Sequence, residues 1–437
     1  MLFIDQIMTN IWKPVADLYQ KTYQKAMELD ANQLYEKLKN VQMASYQHEM
    51  NAMNNLVTSG CSHHIRKGKL SGCSMCNLHS VFHETEAEME ALRQKDKKLY
   101  AKVVKAGFEN KRGIVETRSL REFVFSHNFL NDDEIPEDAL EELFGKEGVF
   151  KKRPMIYEFE TNAKSVTMDK LKILEGYVGR TGIWIRIGVE CGNEWLRNHW
   201  LNKDITSNQI KAAIENCHEM GYRITGNVLM GIPGLTERQS QDVYIDTLKW
   251  LEEVGIDMYT CSVLNRKDTT IQGFIYDKLR DSKELADMGI VQGEHTGLPW
   301  LFSVVKSLSR AIEEIPEFGK KLTFGQFESD YIFGNHTMAY NGTRTCSCNK
   351  KIFDTLKSYA FNKDWRTIKE LEAWIEKDPC FKEYEELVER QKRVVSLQET
   401  IGILGEEIAK VVWPDGWKEK YEVLKEELLT YPPVAEA

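Results

Sequence analysis

Residues 183–190 read Ile-Trp-Ile-Arg-Ile-Gly-Val-Glu and residues 223–230 read Arg-Ile-Thr-Gly-Asn-Val-Leu-Met. Both are short β-rich runs, and the stretch Ser207–Met220 between them repeats apolar side chains at helical spacing. Strands joined through a helix pair in parallel, because only a long crossover returns the chain in the same direction. The unit recurs on both sides. Strands are expected at Leu56-Val57, Glu122–Ser126, Ile156–Glu160 and Met258–Leu264, alternating with helices at Glu84–Lys105, Glu137–Leu143, Met168–Leu174 and Arg238–Val254. Six such units exceed a small doubly wound domain and fall short of an eightfold barrel. The expected fold is α/β, a partial (β/α)6 barrel of the TIM type.

Around this core, residues 1–53 read as a helical extension with Ile11, Val15, Leu18 and Tyr19 on one face. Residues 54–310 form the expected barrel. Residues 311–437 read as mostly helical, with an aromatic segment at 324–340, Cys346-Ser-Cys348, and a Pro-rich end expected to fray.

The chain has 437 residues, 42% hydrophobic and 29% charged, with a net charge of −9. That composition is globular. No run of about 18 apolar residues exists, so no membrane span is expected. The start lacks the basic region of a signal peptide, and nine scattered cysteines do not form a secreted disulfide framework. A reducing cytoplasm is the expected location. The acidic total weighs against DNA, since phosphate binding needs concentrated cations. Local basic clusters at Arg66–Lys69, Arg93–Lys105 and 151–153 read first as solvated faces, while remaining compatible with RNA.

In parallel α/β folds the ligand site lies at the carboxyl ends of the strands. Those ends carry Ser126-His127-Asn128, Glu160-Thr-Asn162, Glu190-Cys191-Gly192 with Lys203 beyond, and Asn227 leading to Gly231-Ile232-Pro233-Gly234-Leu-Thr236-Glu237. Singly, each reads as a rim residue or a tight turn, with Thr236 and Glu237 capping the next helix. Together, carboxylates, a cation and an open glycine turn suit a zwitterionic nucleoside.

The same end carries Cys61, Cys73 and Cys76, spaced C-x11-C-x2-C. Three thiolates leave one iron of a [4Fe–4S] cluster open for a ligand. The rivals are a zinc knuckle completed by His79 or His83, an electron-transfer cluster with a distant fourth ligand, and coincidence. Cys346 and Cys348, with Cys380 or His336, form an incomplete set for zinc or a second cluster, or are free thiols in a turn. Cys191, Cys217 and Cys261 lie in or beside apolar runs and read as buried small hydrophobes.

The Gly-Cys-Ser-Met-Cys segment, Glu160-Thr-Asn162, Ile-Gly-Val-Glu190, Leu201-Asn-Lys203 and Gly231-Ile-Pro-Gly234-Leu-Thr236-Glu237 together resemble the radical S-adenosylmethionine superfamily. The resemblance covers about residues 56–350. It is nearest the branch of the Elongator catalytic subunit and the oxygen-independent coproporphyrinogen oxidases. Within that branch, the radical subunit of archaeosine synthase and its relatives share the long first cysteine gap, Leu-Pro-Trp-Leu-Phe-Ser-Val-Val at 298–305, and the late pair Cys346 and Cys348. The usual C-x3-C-x2-C spacing is shorter, so the gap here implies extra surface beside the cluster.

The resemblance implies that Cys61, Cys73 and Cys76 ligate a [4Fe–4S] cluster whose fourth iron chelates S-adenosylmethionine. Glu160 would meet the methionyl amine, Lys203 the carboxylate and Glu190 the ribose. Gly231 and Ile232 would flank the adenine, with Asn77 also near it. Ser126 and Asn128 would approach the methionyl group, and Asn227 belongs to the same cofactor set. Lys203 stands where many relatives carry arginine, and a point charge lacks the bidentate fork. No catalytic side chain beyond the cluster is implied for the first step, which gives a 5′-deoxyadenosyl radical and requires protection from oxygen. A ferredoxin- or flavodoxin-type donor would supply the electron. The implied substrate is a modified tRNA base, reached through a partner subunit, or a small metabolite. Two further readings are a radical methyltransferase and a non-catalytic zinc or iron–sulfur scaffold for a protein partner, with His63, His64, His79 and His83 as ligands.

Overall fold

The computed structural model describes residues 1–41, 45–48, 51–66, 69–109, 121–149, 154–179, 182–324, 336–394 and 396–432. The basic run 151–153 and most of the aromatic segment lie outside them, as does the end of the Pro-rich tail.

Seven parallel strands follow one another across the main sheet: β1 (Asn51–Asn55), β2 (Arg121–Phe125), β3 (Ile156–Thr161), β4 (Gly182–Glu190), β5 (Arg223–Met230), β6 (Met258–Val263) and β7 (Leu322–Phe324). A further strand, Ser45–His48, pairs antiparallel with β1 at one edge. Among the described residues the order is linear and the two edge strands do not pair, which makes the fold a partial barrel. The expected first strand, Leu56-Val57, is the continuation of β1, where Leu56 N donates to Phe125 O at 2.9 Å. The seventh strand goes beyond the six expected. It follows a long insertion after β6 that carries the helices Ile271–Leu279 and Leu301–Glu314.

Strand β4 shows how the sequence divides the two faces. Ile183, Ile185, Ile187 and Val189 are buried against the helices, while Trp184, Arg186 and Gly188 face the barrel interior and are half-buried. The crossover helices begin on designed caps. Thr206 with Gln209, and Thr236 with Gln239, form capping boxes. Gln239, rather than the expected Glu237, is the partner of Thr236. Glu237 is instead buried, and its Oε2 accepts from Trp300 N at 3.3 Å.

A second apolar cluster ties the chain ends together. Phe3, Ile4, Ile7 and Met8 pack with Ile401, Leu404, Ile408 and Leu424. Phe3 N donates to Glu427 Oε1 at 2.8 Å in the last helix, Trp417–Leu428. The N-terminal helix Phe3–Ile11 therefore has a covered face rather than a free one.

Candidate cofactor site

The residues between Cys61 and Cys73 fold locally. Ser62–His64 form a 3-10 turn, Ile65–Arg66 pairs antiparallel with Lys69–Leu70, and Ser71 N returns to His64 O at 2.8 Å. This excursion leads out and back, so the long gap does not separate Cys61 from Cys73 and Cys76. The returning strand is pinned to the turn after Trp200. Ser74 N donates to Leu201 O at 3.0 Å, and Asn202 Nδ2 donates to Gly72 O at 2.8 Å. Lys203, next in sequence, is thereby carried to the cysteines.

The three thiols sense one another's charge. Burial pushes Cys61 well up and Cys76 to about 11, while Lys267 and Lys203 pull Cys76 down. Among the described residues, the groupings with ligand atoms within 4.8 Å of one another do not include this set. A single tetrahedral zinc would need sulfurs about 3.8 Å apart, from the Zn–S length of about 2.3 Å.

Beside Cys76, a cavity of about 460 Å³ opens at the carboxyl ends of the strands. Cys76, Asn77, Glu160, Glu190, Asn227 and Lys267 are among its walls. Deeper in the barrel, Arg186 donates to Glu158 Oε1 at 2.8 Å, to Asn227 Oδ1 at 3.2 Å and to Thr260 Oγ1 at 2.7 Å. Arg121 also pairs with Glu158, whose carboxyl is held low by the two guanidiniums against the cost of burial. Glu160 lacks such a direct cation. Burial, then the Glu190 charge, raise it to about 7 although Arg186 opposes them. Asn227 Nδ2 points toward Glu160 Oε1 at 3.4 Å.

Glu190 ends β4 in the left-handed region, at φ 62°, where the register with β5 shifts. That turn directs its carboxylate to Lys203, whose Nζ donates to Oε1 at 2.9 Å. Burial disfavours the ammonium, but Glu190 and then Cys73 raise Lys203 above its ordinary range.

The expected site residues separate into two groups. Cys76, Asn77, Glu160, Glu190 and Asn227 share the cavity, with Lys203 bonded to Glu190 at its edge. Ser126, Asn128, Gly231 and Ile232 are not in its wall. Asn128 Oδ1 instead accepts from Thr161 Oγ1 at 2.7 Å and Asn162 N at 3.0 Å, bracing two strand ends. Gly231, at φ 93°, packs its Cα toward Pro299, and Ile232 is buried with its N donating to Ser240 Oγ at 3.2 Å.

Sequence reasoning missed Asn265 and Lys267, which follow β6 directly and line the cavity. Applying the strand-end rule to β6 would have found them. Lys267 is held below its ordinary range by burial, with Cys76 and Glu190 opposing. Asn77 Oδ1 and Asn265 Oδ1, in residues of the wall, are buried without a hydrogen-bond partner. Opposite charges around a cavity edged by Cys76, with Cys61 and Cys73 close to that thiol, fit a cluster with a zwitterionic nucleoside.

Far from the barrel mouth in sequence, Cys346, Cys348 and Cys380 also converge. Cys346 Sγ is 2.9 Å from Cys348 Sγ and 3.3 Å from Cys380 Sγ. His336, the alternative partner, is instead 3.3 Å from Asn77 Nδ2 through its Nε2. Cys191, Cys217 and Cys261 are buried, as expected. Among the described residues no helix is long and apolar enough to cross a membrane.

No family model matches the chain. An uncharacterised protein of Methanocaldococcus jannaschii is 23% identical over 239 residues, which is 55% of this chain and 59% of that protein. The chain thus spans less than two thirds of that relative. Among solved structures, the radical S-adenosylmethionine methyltransferase TsrM of Kitasatospora setae, with cobalamin and a [4Fe–4S] cluster bound, is similar at 13% identity and TM-score 0.38, covering 74% of this chain and 60% of that one. Coproporphyrinogen III oxidase of Escherichia coli, a radical SAM enzyme, is similar at 14% identity and TM-score 0.35, covering 73% of this chain and 61% of that one.

Proposed function

We propose that this chain is a radical S-adenosylmethionine enzyme. The observation that supports the reading is that Cys61 and Cys73 lie near Cys76, which walls a cavity of the partial barrel together with Glu160, Glu190 and Lys267. Cys61, Cys73 and Cys76 would hold a [4Fe–4S] cluster, which supplies the electron for reductive cleavage of S-adenosylmethionine.

The protein's own part is binding and orientation. Glu160, ionised, suits the methionyl ammonium. Lys203 has three N–H donors, so it can keep Glu190 while also meeting a carboxylate. Glu190, Asn77 and Asn265 offer acceptors for ribose hydroxyls and a base amine. The apolar wall of Met53, Phe123, Phe125, Leu229 and Phe324 keeps water from the reacting carbon. The reading includes a low-potential donor of ferredoxin or flavodoxin type and a substrate that is a modified tRNA base or a small metabolite. It also places the protein in a reducing cytoplasm, where such a cluster survives.

Anaerobic reconstitution with iron and sulfide tests it. The expected product is a brown protein with four irons per site, an absorbance or EPR signal altered by S-adenosylmethionine, and 5′-deoxyadenosine after reduction. A colourless zinc protein that leaves S-adenosylmethionine intact overturns the reading.

A further inference from the structure

Three buried ionisable side chains and the half-buried His127 meet behind the cysteine loop, and none of them lines the cavity. His64 comes from the turn after Cys61, His79 and Glu86 lie on the helix Leu78–Lys95, and His127 follows β2. One ligand atom each from His64, His79 and Glu86 lies within 4.8 Å of the others. The His64 and His79 rings are 4.7 Å apart, and His127 Nε2 stands 3.9 Å from Glu86 Oε1. His79 Nδ1 contacts Glu86 Oε2. Yet His64 Nδ1, His79 Nε2, Glu86 Oε1 and His127 Nε2 have no hydrogen-bond partner in the protein.

Leaving buried polar atoms unpaired in one place is costly, and a single cation held by His64, His79 and Glu86 relieves that cost. We propose that His64, His79 and Glu86 form a site for one divalent transition-metal ion, zinc(II) or iron(II), with His127 beside Glu86. This site is separate from the cysteine site and does not rest on the proposed function.

The donor set selects the metal class. Imidazoles with one carboxylate suit zinc or iron(II), whereas calcium and magnesium take oxygen ligands. His127 backs Glu86: its Nδ1 is 3.2 Å from Glu134 Oε1 and its Nε2 faces Glu86 Oε1 at 3.9 Å. Glu134 is fixed in turn by His127 N at 2.8 Å, Asn128 N at 2.6 Å and Thr58 Oγ1 at 2.9 Å. The site is closed. Fully buried Trp12 stacks on His79 at 5.5 Å with its plane within 7°. Enclosure points to a structural ion rather than one that meets substrate.

Two glycines make room for it. A Cβ at Gly60 would fall 2.4 Å from the Glu86 carboxyl carbon, and one at Gly72 3.0 Å from His64 Cδ2. Each glycine immediately precedes a cysteine, Cys61 or Cys73. An ion here would hold both ends of the long cysteine excursion and fasten the N-terminal helices, through Trp12, to the barrel.

The test uses the full chain, purified and reconstituted anaerobically, then loaded with zinc(II) and desalted. Elemental analysis should find one zinc per chain that E86Q and H64Q lose and C61A keeps. Zinc X-ray absorption on the C346S/C348S/C380S variant should show a nitrogen and oxygen shell. Iron that persists in the C61A/C73A/C76A variant would identify iron(II) as the occupant. Circular dichroism shows which of E86Q and H64Q folds, and either suffices. Equal metal in wild type and the folded variant overturns the site, as does a sulfur-only shell, or a chain that retains neither metal.

Discussion

Lys203 Nζ and Glu190 Oε1 are 2.9 Å apart in a space that Gly188 keeps clear: a Cβ at Gly188 would stand 2.5 Å from Nζ and 2.8 Å from Oε1. The pair is 11% exposed on each side. Two charges proposed to bind opposite parts of one ligand thus neutralise each other when it is absent. Removing one partner leaves the other charge buried. K203M is expected to cost about 3–5 kcal/mol of stability, and K203M/E190Q clearly less, read by urea denaturation as a double-mutant cycle. If the single and double variants are equally stable, the pair carries no coupling.

Gly188→Ala should separate site from fold. The added methyl meets only the ends of flexible side chains, so stability should change little. The pair must move, however, so S-adenosylmethionine affinity should fall about tenfold or more, which corresponds to about 1.4 kcal/mol. Calorimetry on the reconstituted protein measures it. Wild-type affinity in G188A removes the Lys203–Glu190 pair from the ligand site.

Replacing Cys61, Cys73 or Cys76 by alanine should abolish cluster binding while far-UV circular dichroism stays native. These thiols stand on loops outside the main sheet. A full cluster in C61A would mean that the folded excursion does not bring Cys61 into the ligand set.

Glu160 predicts a pH dependence. Its folded pKa of about 7 lies above the ordinary value of 4.5, so the native state holds a proton that the unfolded chain has released between those values. This contribution to stability is full below about pH 4.5 and is lost as pH rises to about 7. A cationic ammonium needs the carboxylate ionised, with Glu158, Arg186, Glu190, Lys203 and Asn227 as the surrounding groups. S-adenosylmethionine affinity should therefore rise up to about tenfold per pH unit towards pH 7 and then level off, and E160Q should flatten that rise. A profile identical in wild type and E160Q would assign the titration elsewhere.

The fold was legible because β5, at Arg223–Met230, and its neighbours are β-rich runs separated by long helical crossovers. β7 was not, since three residues after a long insertion carry no periodic signal and gain their strand geometry only by pairing Leu322 with Tyr259. The strand-end rule located Glu160, Glu190 and Asn227, because alternation fixes which side chains face the barrel. The strand exits took other contacts. Asn128 turned to bond the neighbouring strand end, and Gly231-Ile232 packed against the insertion, contacts set by distant residues such as Pro299. The histidine–glutamate cluster was only half visible, because Glu86 gives no signal until the helix carries it under Gly60.

Lys267 supplies the last prediction. It lies in the cavity wall, on the short strand Arg266–Lys267 that pairs with His336–Thr337, and it lowers the Cys76 thiol electrostatically. Burial keeps the field of this ammonium from being screened. A nearby positive charge favours the more negative, reduced state of any redox centre at Cys76. Lys267→Met should therefore leave iron content unchanged and shift the reduction potential of the reconstituted protein negative by tens of millivolts, where about 59 mV is tenfold for one electron. K267R should restore it. EPR-monitored redox titration reads the shift, and a potential unmoved in K267M would show that this cation serves the ligand or the hairpin rather than the cysteine centre.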